Sequence, residues 1–291
     1  MLKNVPEGTR SALLAYTAWG LFPLYWKLLG HLPALAIFGQ RVFWSLVFYS
    51  LMRALWRRER MFSFRLTVRQ WWGIALSSLL IGGNWLLYIW AVNTGHIVET
   101  SLGYFINPLV NILLGVAFLQ ERLTRSQKVA VLLALAGVVV LTVEGGRLPW
   151  IALALATTFS LYGFTRKKIG VPALEGAQLE ALLMLAPVAL LVSREHFAWG
   201  SVSWVDWGFL VGAGVVTGLP LLWFIEAARR LPYYLMGFFQ YIAPTLQFLT
   251  GVLIFREPLT SWKLVGFAFI WAGIFLTLQE GVRSLRRSAP R

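Results

Sequence analysis

Apolar residues in this chain gather into runs of about twenty, separated by short polar segments, and runs of that length are what a helix needs to cross hydrocarbon. Ten spans are predicted, near 11–29, 34–52, 70–92, 98–119, 126–143, 149–165, 173–192, 205–226, 234–255 and 262–279. The longest linkers are 53–69 and 193–204. Neighbouring spans must therefore run antiparallel, with no room for a soluble domain between them.

One stretch occurs twice. Phe105 to Glu121 reads FINPLVNILLGVAFLQE, and Tyr241 to Glu257, 136 residues later, reads YIAPTLQFLTGVLIFRE. Pro108 falls on Pro244, Gly115 on Gly251 and Glu121 on Glu257. The first span aligns with the sixth at an offset of 140, with Thr17 on Thr157 and Gly30 on Gly170. The chain thus reads as two repeats, 1–145 and 146–291. Each holds five spans, and because five is odd, equivalent helices must cross in opposite directions. The expected fold class is an all-α integral membrane protein of ten helices in two inverted five-helix repeats. Inverted repeats are a recurrent transporter architecture with a midplane site.

Composition agrees with this pattern, with 58% hydrophobic residues and 13% charged. The net charge of +14 would raise nucleic acid as a partner if it were clustered on a soluble face. With the N-terminus inside, twenty Lys and Arg fall in inner segments and four (Arg147, Arg194, Arg256, Lys263) in outer ones. That asymmetry is a topology signal. It puts both termini in the cytoplasm and makes the bilayer with its anionic lipids the partner, with no nucleic acid. There are no cysteines, and His31, His96 and His196 are scattered over loops, so no metal site or cofactor is predicted.

Candidate chemistry lies where polar groups interrupt the spans. Arg41 stands about eight residues into the second span, roughly 12 Å deep at 1.5 Å per residue. Intramembrane arginines face the bundle interior, pair and mark pathways, so Arg41 reads either as an anion-coordinating or gating group or as half of a buried structural pair. Glu180, at comparable depth in the seventh span, is its predicted partner; left unpaired, it would be a proton carrier. Arg41, Asn84, Tyr88, Tyr104, Asn107 and Asn111, with Glu180, Gln240 and Gln247 from the second repeat, are predicted to line a cavity, although interhelical bonding is the alternative role for the amides. Trp19, Trp85, Tyr88, Trp90, Tyr162 and Trp223 lie deep enough to stack on an organic ligand, with a lipid-facing or core role as the alternative for each. Pro108 and Pro244 each remove a helix hydrogen bond and are predicted kinks. Glu121 and Glu257 close their helices against the dipole, which requires another partner, and are predicted hinge residues. Glu99, beside His96, is a second candidate for proton coupling. Thr124 to Gln127 reads as a capping box, and Lys27 and Lys167 as snorkelling residues. Gly208 and Gly212, then Gly214 and Gly218, give the eighth span two close-packing motifs.

These strings resemble a known family. The doubled Pro…Gly…Glu-x-Leu-Thr segment, Trp19-Gly20 and the span-two arginine are similar to the EamA domain of the drug/metabolite transporter superfamily. Asn84-Trp85-Leu86-Leu87, Ser101 to Asn111 (SLGYFINPLVN), Arg166-Lys167-Lys168-Ile169 and Gly237 to Thr245 (GFFQYIAPT) resemble its RarD-like permeases. The resemblance implies ten helices in the bacterial cytoplasmic membrane and a permease associated with chloramphenicol sensitivity.

The expected function is a secondary transporter, not an enzyme, for a small polar or amphipathic organic metabolite or drug. Two other readings are an amino-acid exporter and a non-transporting membrane sensor or scaffold. A monomer or homodimer is expected. No nucleotide-binding pattern occurs, so a gradient would supply the energy.

Overall fold

The computed structural model describes residues 8–56, 65–119, 123–195, 197–231 and 239–288. The described residues are helical apart from turns and short links. In chain order the helices are α1 (Thr9–Gly20), α2 (Phe22–Leu28), α3 (Ala34–Trp56), α4 (Val68–Asn93), α5 (Ile97–Leu119) and α6 (Arg125–Gly145). There follow α7 (Trp150–Ile169), α8 (Ala173–Arg194), α9 (Trp204–Arg230), α10 (Ile242–Leu249) and α11 (Ser261–Ser288).

Among the described residues, six helices are long and apolar enough to cross a membrane: most of α3, α4, α5, α6, α8 and α9. The other predicted spans differ in form. The first is broken at Leu21, because Pro23 at the start of α2 cannot supply the N–H that a continuous helix would send to Trp19. The sixth becomes α7, whose Arg166-Lys167-Lys168 end and hydroxyl residues make it more polar than its neighbours. The ninth appears as α10 running into a π-helical turn at Thr250–Ile254. The tenth extends to Ser288 in α11, with its apolar stretch at Ser261–Leu276. Residues 232–238 and Glu121 lie outside the described residues.

Side-chain caps start several helices where polar linkers meet apolar runs. Thr124 and Gln127 form the predicted capping box of α6, and Thr67 with Gln70 forms another on α4. Ser203 caps α9 by accepting the Asp206 N–H.

Packing brings sequence-distant helices together. α6 lies along α11, α5 along α7 and α10, α3 between α8 and α9, and α1 between α9 and α10. Glycines permit the closest approaches. A Cβ on Gly137 would lie 2.7 Å from the Gly266 carbonyl oxygen, and one on Gly273 would lie 2.8 Å from that of Ala130. Gly214 and Gly218 of α9 fit against the Trp44 backbone and the Phe48 ring of α3, whereas Gly208 faces open space. Of the two motifs in this helix, the second is thus internal packing. An aromatic-rich core centred on Trp26, Phe38, Tyr88 and Met184 joins α2, α3, α4 and α8. A second core, with Phe105, Phe248 and Phe267, joins α5, α10 and α11.

Candidate functional site

Arg41 is 3% exposed in the middle of α3. Its Nε donates to Thr217 Oγ1 of α9 at 3.1 Å. Its guanidinium lies 4.1 Å from the centre of the Trp85 ring, 4.9 Å from Trp26 and 5.9 Å from Phe22. Tyr88 and Tyr104, with ring centres 5.9 Å apart, complete an aromatic wall near it. Cation–π contact with several rings offsets part of what the charge loses in leaving water. Four buried polar atoms of this region have no partner among the described residues: Arg41 Nη1, Tyr88 OH, Trp26 Nε1 and, one helical turn beyond Arg41, Ser45 Oγ.

The predicted Arg41–Glu180 pair does not form. Glu180 of α8 instead takes Arg166 of α7, whose Nε stands 3.5 Å from its Oε1. Ser77 of α4 donates to Glu180 Oε1 at 2.6 Å and Tyr162 to Oε2 at 3.2 Å. Arg166 also donates to the carbonyls of Val171 and Pro172. It can come so close because residue 176 is glycine: a Cβ there would collide with the guanidinium. Arg166 reads in the sequence as one of the cytoplasmic topology charges, and Gly176, one turn before Glu180, is the only local sign of its second role. Arg53, another such charge, is buried and donates to Gln178 Oε1 at 3.0 Å, while Gln178 donates to Ser50 at 2.8 Å.

The predicted amides bind helix to helix. Asn84 donates to the Leu155 carbonyl at 3.0 Å and to Thr158 at 2.9 Å. Asn107 donates to the Ala156 carbonyl at 3.2 Å and to Ser160 at 2.8 Å, and Asn111 donates to Asn107 Oδ1. Gln247 donates at 3.1 Å to the Trp19 carbonyl, the one that Pro23 leaves without its helical donor. Its Oε1 is buried and unpartnered. Gln240 and Tyr241 form the turn before α10 and bond each other. Two surface grooves, of about 340 and 300 Å3, include none of the predicted cavity side chains; the first has Gly39, Gln40 and Val188 in its lining, the second Phe105 and Trp271.

The remaining predicted residues act at helix ends. Glu257 accepts the N–H groups of Ile97 and Val98, at 2.6 and 2.7 Å, and so caps α5 from another part of the chain. This is the partner its own helix end called for, since a carboxylate suits an N-terminal dipole. Glu99 accepts the Ile151 N–H at 3.1 Å at the start of α7, while His96 bonds Thr94 and stacks on Trp90. Lys27 is a C-terminal cap rather than a snorkelling residue, donating to the carbonyls of Val92 and Asn93. Pro108 lies inside α5, and Pro244 in the first turn of α10, where its missing N–H costs little.

The pattern of the EamA-like transporter family matches residues 8–143. An uncharacterized transporter of Pseudomonas aeruginosa is 45% identical over 291 residues, covering 98% of this chain and 97% of that protein. The protein RarD of Escherichia coli K12 is 43% identical over 294 residues, covering 99% of each. A solved crystal structure superposes with a TM-score of 0.65 over 96% of this chain and 98% of that one at 21% identity, a likeness of fold. Near-full-length identity of this order shows that the chain is a multi-pass membrane protein belonging to the RarD-like permeases of the EamA-like transporter family.

Proposed function

We propose that the chain is a secondary transporter that moves a small polar or amphipathic organic solute across the bacterial cytoplasmic membrane. It works by alternating access between two inverted halves, residues 1–145 and 146–291, with both termini in the cytoplasm. One observation carries this reading: buried polar groups of each half engage the other half in matched pairs. Arg41 of the first half bonds Thr217 of the second, and Glu180 of the second bonds Ser77 of the first. Ser77 and Thr217 stand 140 residues apart, as do Gln40, the neighbour of Arg41, and Glu180.

Helix packing supports the same two-fold relation. The contacts of α5 with α7 and of α4 with α7 are matched by those of α10 with α1 and of α9 with α1. Gly137 meets Gly266 while Gly273 meets Ala130, and 136 residues separate each member of one pair from its equivalent in the other. A site shared by two such bundles can be exposed to either face by rocking one against the other. Glu180 is the candidate for proton coupling, with Arg166 as the group that holds its charge in one state.

The inverted topology is testable with single cysteines, because the chain has none of its own. Thr124→Cys and Thr260→Cys occupy equivalent positions of the two halves. A membrane-impermeant maleimide should label the first only from the cytoplasmic side and the second only from outside. Labelling of both from one side would sink the inversion. Transport itself is tested by solute flux into liposomes holding the purified protein, with protein-free liposomes as the baseline.

A further inference from the structure

Resting on the transporter reading, we infer that the solute is a small organic monoanion, a carboxylate on an apolar or aromatic body, and that Arg41 is its counter-ion. The buried guanidinium has no carboxylate within ion-pair distance among the described residues. The acid best placed to neutralise it, Glu180, is held by Arg166, Ser77 and Tyr162. A buried charge without an opposite charge is costly unless the working cycle brings one.

The unpartnered groups say what kind of charge that is. Arginine and indole N–H groups can only donate, and hydroxyls can donate. Arg41 Nη1, Trp26 Nε1, Tyr88 OH and Ser45 Oγ are therefore a donor set that asks for an acceptor, and all four belong to residues at least nine-tenths buried. Nε of Arg41 is taken by Thr217, which leaves the far edge of the guanidinium for the ligand. A single charge fits because Arg41 is the one cation in this donor set, and Arg166 is already paired with Glu180. The rings of Trp85 and Trp26, now packed on the guanidinium, and that of Tyr88, packed on Tyr104, are the surfaces that a flat or apolar body next to Arg41 would meet. A zwitterion would need a free acid for its ammonium, and the described part of the site offers none.

The test uses 3-phenylpropanoate, its primary amide and L-phenylalanine as probes on the detergent-solubilised full-length protein, read by thermal shift and by flux into liposomes. The acid should stabilise the wild type, and the amide and phenylalanine should do so at least 10-fold more weakly by apparent affinity. Arg41→Gln should weaken acid binding by about 10- to 100-fold, the loss expected for charge-assisted hydrogen bonds. Tyr88→Phe removes one hydroxyl without touching the charge and should weaken it about 3- to 10-fold, which keeps the idea exposed if the arginine variant fails to fold. The inference is overturned if the acid produces no shift, if the amide or phenylalanine matches it, or if both variants bind the acid as the wild type does. If phenylalanine or the amide crosses and the acid does not, the anion assignment falls and the transporter reading stands. If the acid binds as described but no probe crosses, the binding site stands and the transporter reading falls.

Discussion

The Glu257 carboxylate holds the backbone N–H of Ile97 at 2.6 Å, joining the end of one repeat segment to the start of the α5 helix that carries the other. Just before it the chain leaves the α-helix in a π-turn at Thr250–Ile254, and Arg256 adopts a positive φ of 53°. The backbone bends so that the carboxylate can reach. Glu257→Gln keeps one acceptor and loses the charge, and should destabilise the detergent-solubilised protein by about 1 kcal/mol; Glu257→Ala should cost about 2. Equal melting temperatures for Glu257→Ala and wild type would show that the cap contributes nothing.

Gly176 makes room for Arg166. Its replacement by alanine should push the guanidinium off Glu180, although α8 itself would tolerate the alanine. Losing one partner of a buried ion pair costs about 3–5 kcal/mol, whereas removing both can be nearly neutral. Arg166→Met should therefore lower the melting temperature sharply, and the double variant Arg166→Met/Glu180→Gln should regain most of it. Additive losses in the double variant would show that the two groups do not form a unit.

The eighth predicted span contains its own control. Gly214→Ala would drive a methyl group into the Trp44 backbone, while Gly208→Ala meets open space. The first should destabilise by about 1–3 kcal/mol through overpacking and the second by less than about 0.5 kcal/mol. Similar effects at both positions, measured by thermal unfolding in one detergent, would contradict the α3–α9 packing.

Asn107 ties α5 to α7 through Ala156 and Ser160, as Asn84 ties α4 to α7. Interhelical hydrogen bonds in membranes average about 0.6 kcal/mol. Asn107→Leu should thus cost between about 0.5 and 2 kcal/mol, and Ser160→Ala should cost less in that background than alone, because the amide–hydroxyl bond is already gone and only the 3.3 Å donation from Ser160 to the Asn107 carbonyl is left to lose. A fully additive second loss would show that the amide–hydroxyl bond contributes nothing.

Much of this protein is set by its sequence alone. Runs of apolar residues dictate helices because hydrocarbon leaves no other partner for backbone N–H and C=O groups. The repeat, the uneven spread of basic residues over the linkers and the polar interruptions at Arg41, Asn84, Asn107, Glu180 and Gln247 are likewise written in the chain. What depended on tertiary structure was the choice of partners. Arg41 and Glu180 are predicted at similar depth and are of opposite charge type, which makes them a natural pair on paper. In the folded chain, Gly176 lets Arg166 reach the acid, and Trp85 and Trp26 flank the arginine. Likewise, Gln247 reads as a cavity residue until the break at Pro23, which removes the usual helical donor of the Trp19 carbonyl, opens that carbonyl to its amide. Hydropathy and spacing are properties of one helix, whereas ion pairs and caps are decided by how closely two helices approach. A few glycines and prolines far apart in the chain set that distance here.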